Sequence, residues 1–219
     1  MNNPQDINAT DLAKLRLIQA AITLFAEKGI EATSLRLINR AAGARNNSAL
    51  HYHFGNKLGM IEAAIHFIQG WFEDTREPQL KALEQRSKEA PLAVAEIVDA
   101  LIDPYVVLLE SEAWGHDALC ALARFEFDGD EAIHTILNQT SGKVARRLRK
   151  LLAVACPDLP KGQLDQRLNL CLLIAIQGFA DSKNAQHSYM GSVQRGKPNY
   201  RKMGALIKGF CVAGLMGES

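Results

Sequence analysis

Apolar residues recur at three- to four-residue spacing along nearly the whole chain, and no segment alternates as a strand does, so the pattern predicts an all-α protein. The first helix covers about residues 11–28. Thr10 can cap it, Gly29 can end it, and Leu15, Ile18, Ala21, Ile22 and Phe25 form its apolar face. Thr33 or Ser34 caps a second helix that buries Leu35, Ile38 and Ala42, and Gly43 permits a sharp turn behind it. A third helix covers about Asn47 to His53, anchored by Leu50 and Phe54. Asn56 caps a fourth, which runs through Met60, Ile61, Ala64, Ile65, Ile68 and Phe72 to about Arg76, where Pro78 is expected to end it. Further helical patterns cover about 79–88, 92–110, 113–127, 131–156, 161–183 and 199–216. Pro104 is expected to kink or split the second of these, and the polar stretch 184–197 reads as a loop. Residues 1–56 therefore form a small head and 57–219 a larger helical body, with Lys57–Arg76 as the connecting helix.

The polar positions between these apolar faces carry the chemistry. From Thr33 to Lys57 the chain holds Arg36, Arg40, Arg45 and Lys57 and no acidic residue. Two short helices joined by a tight turn, with Asn47, Ser48 and His51 outward and Leu50 and Phe54 inward, suit a helix that enters the major groove of duplex DNA. Lys57 lies in the first turn of a helix, where the dipole disfavours a cation by about 0.3–1 kcal/mol. A bound phosphate removes that conflict; an exposed surface lysine is the plain alternative. Turn and cap chemistry is likewise the plain alternative for Asn46 and Asn47. His51 and His53, two apart on a short helix, do not share a face and make a poor metal pair.

Composition sharpens this reading. With a net charge of only +1, nucleic-acid binding must rest on a local patch. Residues 73–131 carry 15 acidic and 5 basic side chains and residues 143–208 carry 3 and 13, so the two parts of the body can neutralise each other. The basic face Lys143, Arg146, Arg147 and Lys150 is read as a solvated face complementing the acidic stretch 96–131. Cys120, Cys156, Cys171 and Cys211 form no CxxC pair and sit in apolar helical contexts, as reduced buried thiols of a cytoplasmic protein do. No signal core or membrane-length apolar run occurs. No nucleophile–base motif, phosphate loop or metal spacing supports an enzyme or a bound cofactor.

Residues 11–70 resemble the head of the TetR family of bacterial one-component repressors. Phe25 and Gly29, then Thr33, Ile38, Ala42 and Gly43, then Tyr52, Phe54 and Lys57 stand where that family's pattern requires them. The span from Gly43 to Phe54 is one residue longer than the commonest form, His51 stands where the tyrosine usually falls, and Asn39 replaces a usual alanine. The resemblance implies phosphate contacts by Thr33, Arg36, Tyr52 and Lys57. It leaves Arg45, Asn46, Asn47, Ser48 and His51 as candidates for base edges.

In the body, the helix over 161–183 is apolar all round between Leu170 and Ile176, which implies burial on two sides. The last helix carries Ala205, Gly209, Ala213 and Gly217 at strict four-residue spacing, a stripe that lets another helix approach closely. The resemblance implies a homodimer through the last two helices, with Leu172, Ala175, Phe179, Ala205, Gly209 and Ala213 at the interface; packing within one subunit is the alternative for the stripe. Tyr105, Trp114, Cys120, Phe125, Phe127, His134 and Gln177 place aromatic or polar groups in otherwise aliphatic helices, so they are candidates for a pocket holding a small, mostly apolar effector. The expectation is a bacterial, nucleoid-associated, homodimeric repressor released from a double-stranded operator by such an effector. The rival is a similar DNA-binding protein governed by a protein partner or organising DNA, without an inducer.

Overall fold

A computed structural model describes residues 9–44, 47–183 and 198–217, and among these every regular element is helical. Ten α-helices follow in order: α1 Ala9–Ala32, α2 Leu35–Ala41, α3 Asn47–Phe54, α4 Lys57–Arg86, α5 Val94–Ser111, α6 Gly115–Asp128, α7 Glu131–Thr140, α8 Gly142–Ala155, α9 Lys161–Ala180 and α10 Tyr200–Met216. A single 3₁₀ turn, Asp181–Lys183, follows α9. The loop expected at 184–197 lies outside the described residues. None of the described helices is long and apolar enough to cross a membrane.

The helices close around one continuous apolar core. In the head, α1 packs on α2 and α4, and α3 packs on α2 and α4. α1 also lies along α6 of the body, where Phe25 meets Phe125 edge to face at 5.3 Å and Thr23 donates to Asp117 at 2.8 Å. At the other end, α10 packs on α5 and α9. Lys208 pairs with Asp99 and Asp103 at 2.8 and 2.6 Å and Arg201 with Glu110 at 2.9 Å, so α10 draws on the acidic residues of α5.

Three expectations are corrected. Pro78 does not end the fourth helix; α4 continues to Arg86 and absorbs the separate helix expected over 79–88. Its buried face runs on as Phe72, Arg76, Leu80 and Leu83. Burying two leucines contributes about 3–6 kcal/mol, enough to offset the roughly 3 kcal/mol a mid-helix proline costs. Pro104 neither ends nor splits α5. A proline at 104 deprives the Ala100 carbonyl of its helical donor, and the Nε of Arg76 takes that place at 3.1 Å. Finally, the helix expected over 131–156 is two, α7 and α8, broken at the weak helix formers Ser141 and Gly142. The basic face of α8 is also matched differently from expectation: Arg147 pairs with Glu77 and with Glu84, at 2.7 Å, on α4 rather than with 96–131.

Candidate nucleic-acid interface and body cavity

Local chemistry sets the head's geometry. Ser34 caps α2 by accepting from the Leu37 amide at 3.2 Å, and Ile38, Leu50 and Phe54 anchor α2 and α3 to the core. Asn39 donates to the Ala44 carbonyl at 3.1 Å while the Ala44 amide donates back to the Asn39 carbonyl at 3.1 Å, bracing the lengthened turn. Gly55 ends α3 in the left-handed region at φ 68°, where a side chain would be strained. Asn56 then caps α4 by accepting from the Gly59 amide at 2.9 Å. A Cβ at 59 would stand 2.1 Å from the Phe54 carbonyl oxygen, so the junction of α3 and α4 admits only glycine there without a shift.

Arg36 and Arg40 on α2 and His51 and Tyr52 on α3 stand exposed, Tyr52 at 86%. The His51 Nδ1 lies 2.9 Å from the Gly55 carbonyl oxygen. A carbonyl only accepts, so Nδ1 carries the hydrogen, and in the neutral ring Nε2 is left as an acceptor. Lys57 reaches back to the Glu31 carbonyl at 3.4 Å, close to the exposed end of α1.

Thr33 departs from expectation. Its side chain is fully buried, and its hydroxyl lies 2.8 Å from the Gly29 carbonyl oxygen and 3.1 Å from that of Leu24. Gly29, at φ 78°, has left helical geometry, so its carbonyl is served from outside the α1 ladder. The threonine clamps the end of α1 and has no face toward phosphate. Arg45 and Asn46 lie outside the described residues. Asn47 and Ser48 belong to the backbone of α3, but their side chains lie outside the description.

In the body a cavity of about 410 Å³ opens between α4, α5, α6, α7, α8 and α9. Its apolar walls include Phe72, Leu101, Leu122, Leu137, Val144, Leu172 and Ile176; Gln69, Arg76, Tyr105, Glu126, His134, Asn138 and Asn169 interrupt them. The Gln69 amide donates to the Ser141 hydroxyl at 2.8 Å, tying α4 to the α7–α8 break. His134 donates from Nε2 to the Glu126 carbonyl at 3.1 Å. Burial raises the Glu126 carboxyl above the usual carboxylate range, with His134 opposing, and raises the Tyr105 phenol. Arg76 is only 4% exposed; burial lowers its guanidinium below the ordinary arginine range, partly offset by Tyr105.

Two family models match. The bacterial regulatory protein, tetR family, model covers residues 17–64, and the tetracyclin repressor-like C-terminal domain covers residues 99–214. The second spans more than half of the chain. The chain belongs to the TetR family. The curated relatives it resembles include the HTH-type transcriptional regulator BetI of Vibrio atlanticus, 34% identical over 77 residues, or 35% of this chain and 38% of the relative. The HTH-type transcriptional repressor KstR2 of Rhodococcus jostii is 34% identical over 90 residues, 40% of this chain and 44% of the relative. The chain thus spans less than half the length of these relatives. Salmonella enterica GusR shares the fold at a TM-score of 0.58 and 17% identity, covering 97% of this chain and 99% of that one. So does the regulator FadR of Bacillus subtilis, solved in complex with stearoyl-CoA, at 0.61 and 14%, covering 92% and 98%. The first matching model describes bacterial regulatory proteins, and both curated relatives are named as transcriptional regulators.

Against the TetR frame the body residues singled out by sequence sort into three groups. Tyr105 and His134 line the cavity. Cys120, Phe127 and Gln177 gather instead at a shallow depression of about 390 Å³ on the other side of α6. There the Cys120 thiol, pushed up to about 11 by burial, donates to the Ala180 carbonyl at 3.5 Å. Phe125 and Trp114 line neither. Phe125 is fully buried against Phe25, and Trp114 packs on Phe67 at 4.9 Å and on Trp71, at the seam between α4 and the α5–α6 turn.

The expected TetR dimer face is also redistributed. Ala175 and Phe179 are fully buried within the protomer, with Phe179 against Tyr105 at 5.9 Å, and Leu172 turns into the cavity. That side of α9 faces its own subunit. Ala205, Gly209 and Ala213 stand exposed, and the large apolar side chains exposed on the same helix are Leu206, Phe210 and Met216; Leu170 is exposed on α9. Sequence reasoning missed Gln69, Phe72 and Arg76 as cavity residues because the fourth helix was assigned to connection. The available signal was Arg76 itself, a charge at an apolar position four residues after Phe72.

Proposed function

We propose that the protein is a homodimeric transcriptional repressor that reads a double-stranded operator with its head, residues 1–56, and is released when a small, mostly apolar effector fills the cavity of its body, residues 57–219. The observation that carries this is α4. One unbroken helix bears Lys57 at the end proposed to face DNA and Gln69, Phe72 and Arg76 in the cavity wall, about 18 to 28 Å away along its axis. A ligand that prefers one placement of α4 shifts the placement of the head, provided its affinity differs between the two. Packing of α1 on α6, which also lines the cavity, supports the same coupling.

In this reading Arg36, Tyr52 and Lys57 hold phosphates. His51 reads a base edge through Nε2, and Arg45, Asn46, Asn47 and Ser48 are the further candidates for base edges. The exposed stripe Ala205, Gly209 and Ala213, flanked by Leu206 and Phe210, forms the two-fold contact that spaces two heads on successive major grooves. The test is selection of duplexes from random DNA by wild type and by Gly209→Leu, with sedimentation of both. Wild type is expected to enrich a two-fold sequence as a dimer. Gly209→Leu, with no atom of its own subunit within 4 Å of the new Cβ, is expected to fold, dissociate and lose tight binding. Enrichment of no sequence by wild type contradicts the reading.

A further inference from the structure

Arg76 stands out in the cavity wall. Its Nε serves the Ala100 carbonyl left without a donor by Pro104, and one Nη2 hydrogen points to the Leu101 carbonyl at 3.5 Å. The aromatic faces of Phe72 and Tyr105 lie 5.2 and 5.7 Å from the guanidinium carbon. Carbonyl dipoles and π-faces orient the group, but among the described residues no carboxylate lies within ion-pair distance of it. A buried cation without a counter-charge is unfavourable unless something supplies one. The acidic residue that lines the same cavity is Glu126, and burial there favours its neutral form.

We infer that the effector is an apolar monocarboxylate whose carboxylate pairs with the Nη groups of Arg76 while its hydrocarbon body lies among Phe72, Leu101, Leu122 and Leu172. This rests on the proposed effector site and names the chemical class it takes. The guanidinium offers a planar fork that suits a carboxylate. A single positive charge sharing the cavity with a carboxyl group favours one negative charge over the two of a phosphate monoester. Gln69, His134, Asn138 and Asn169 also line the cavity and suit a further polar substituent on the ligand.

The test is calorimetric titration of the full-length protein with hexanoate, decanoate and tetradecanoate, each beside its neutral alcohol and its alkylammonium counterpart. The carboxylate is expected to bind at least about tenfold more tightly than the alcohol of the same length, equivalent to about 1.4 kcal/mol. Arg76→Met is expected to bring the two within about threefold of each other while the alcohol's affinity holds. Should Arg76→Met fail to fold, the wild-type comparison decides, and Arg76→Lys, which retains the charge, is expected to keep part of the preference. Equal affinity for acid and alcohol marks Arg76 as a purely structural donor to Ala100 and overturns the inference. Preference for the alkylammonium, or binding of no compound in the series, overturns it as well. A carboxylate that binds through Arg76 yet leaves operator affinity unchanged overturns the release mechanism and leaves this chemistry standing.

Discussion

The head and the body of this regulator place their chemistry in opposite ways. In the head, the side chains proposed to meet DNA are exposed polar residues on α2 and α3, and apolar anchors such as Ile38, Leu50 and Phe54 hold those helices to the core. In the body, the chemistry is turned inward. Six helices each contribute a few residues to one cavity, and Arg76 in its wall is buried. A surface that reads a long polyanion needs local sequence and exposure. A pocket for a small molecule needs convergence from distant parts of the chain. The lesson is that a polar residue must be read by its neighbours: exposed Tyr52 suits an operator, whereas Thr33, nineteen positions earlier in the same motif, is a buried clamp.

The seam between the two regions offers the largest expected effect. Phe125→Ala removes the ring that meets Phe25 and is expected to destabilise the protein by about 3–5 kcal/mol. Thermal denaturation measures this. Affinity of the folded variant for a cavity ligand should be unchanged, because Phe125 does not line the cavity; lost affinity with unchanged stability would restore it to the pocket. Next comes a contrast within the head. Thr33→Val keeps the shape and leaves buried carbonyls unserved, so it is expected to cost about 1–3 kcal/mol of stability. Its folded form should keep full operator affinity. Lys57→Ala should do the reverse: stability holds, binding weakens on all duplexes, and the salt dependence flattens by about one phosphate contact. If Thr33→Val loses operator affinity at full stability, the clamp assignment fails.

The smallest effect belongs to the body's surface ion pairs. The hydrogen bond from Arg147 holds the Glu84 carboxyl below its ordinary value of 4.5. A depressed carboxyl contributes stability that is present above 4.5 and lost as pH falls through the folded value. Because the Glu84 side chain is more than a third exposed, Glu84→Gln should cost less than about 1 kcal/mol at neutral pH. The difference from wild type should vanish in acid. A larger loss would mean that α8 depends on α4 more than the cavity account requires.

Much of the fold was legible in local pattern. The caps Ser34 and Asn56, the helical faces and the punctuating glycines depend on neighbours within one or two turns. The readings that failed involved tertiary compensation. Pro78 and Pro104 stop isolated helices, but continued burial of Leu80 and Leu83 outweighs the first, and Arg76, reaching across from α4, repairs the second. The same distance in sequence explains the partial reading of the pocket. Tyr105 and His134 were visible as anomalies in aliphatic helices, whereas Phe72, Leu122 and Leu172 look like any core residue until six helices bring them together. On α9, the apolar all-round stretch implied burial on two sides; within the protomer Cys171 and Ala175 are buried and Leu170 is exposed, and which side faces its own subunit depends on α10 and α6.

The central claim is that cavity and operator act on one another through α4, and linkage tests it directly. Calorimetry measures the affinity of a cavity-binding compound for the free protein and for the protein saturated with its selected operator duplex. A parallel titration measures operator affinity with and without saturating compound. Coupling through one conformational equilibrium predicts that both affinities fall by the same factor, about tenfold for a coupling free energy of about 1.4 kcal/mol. A compound that binds equally well with and without operator contradicts the account.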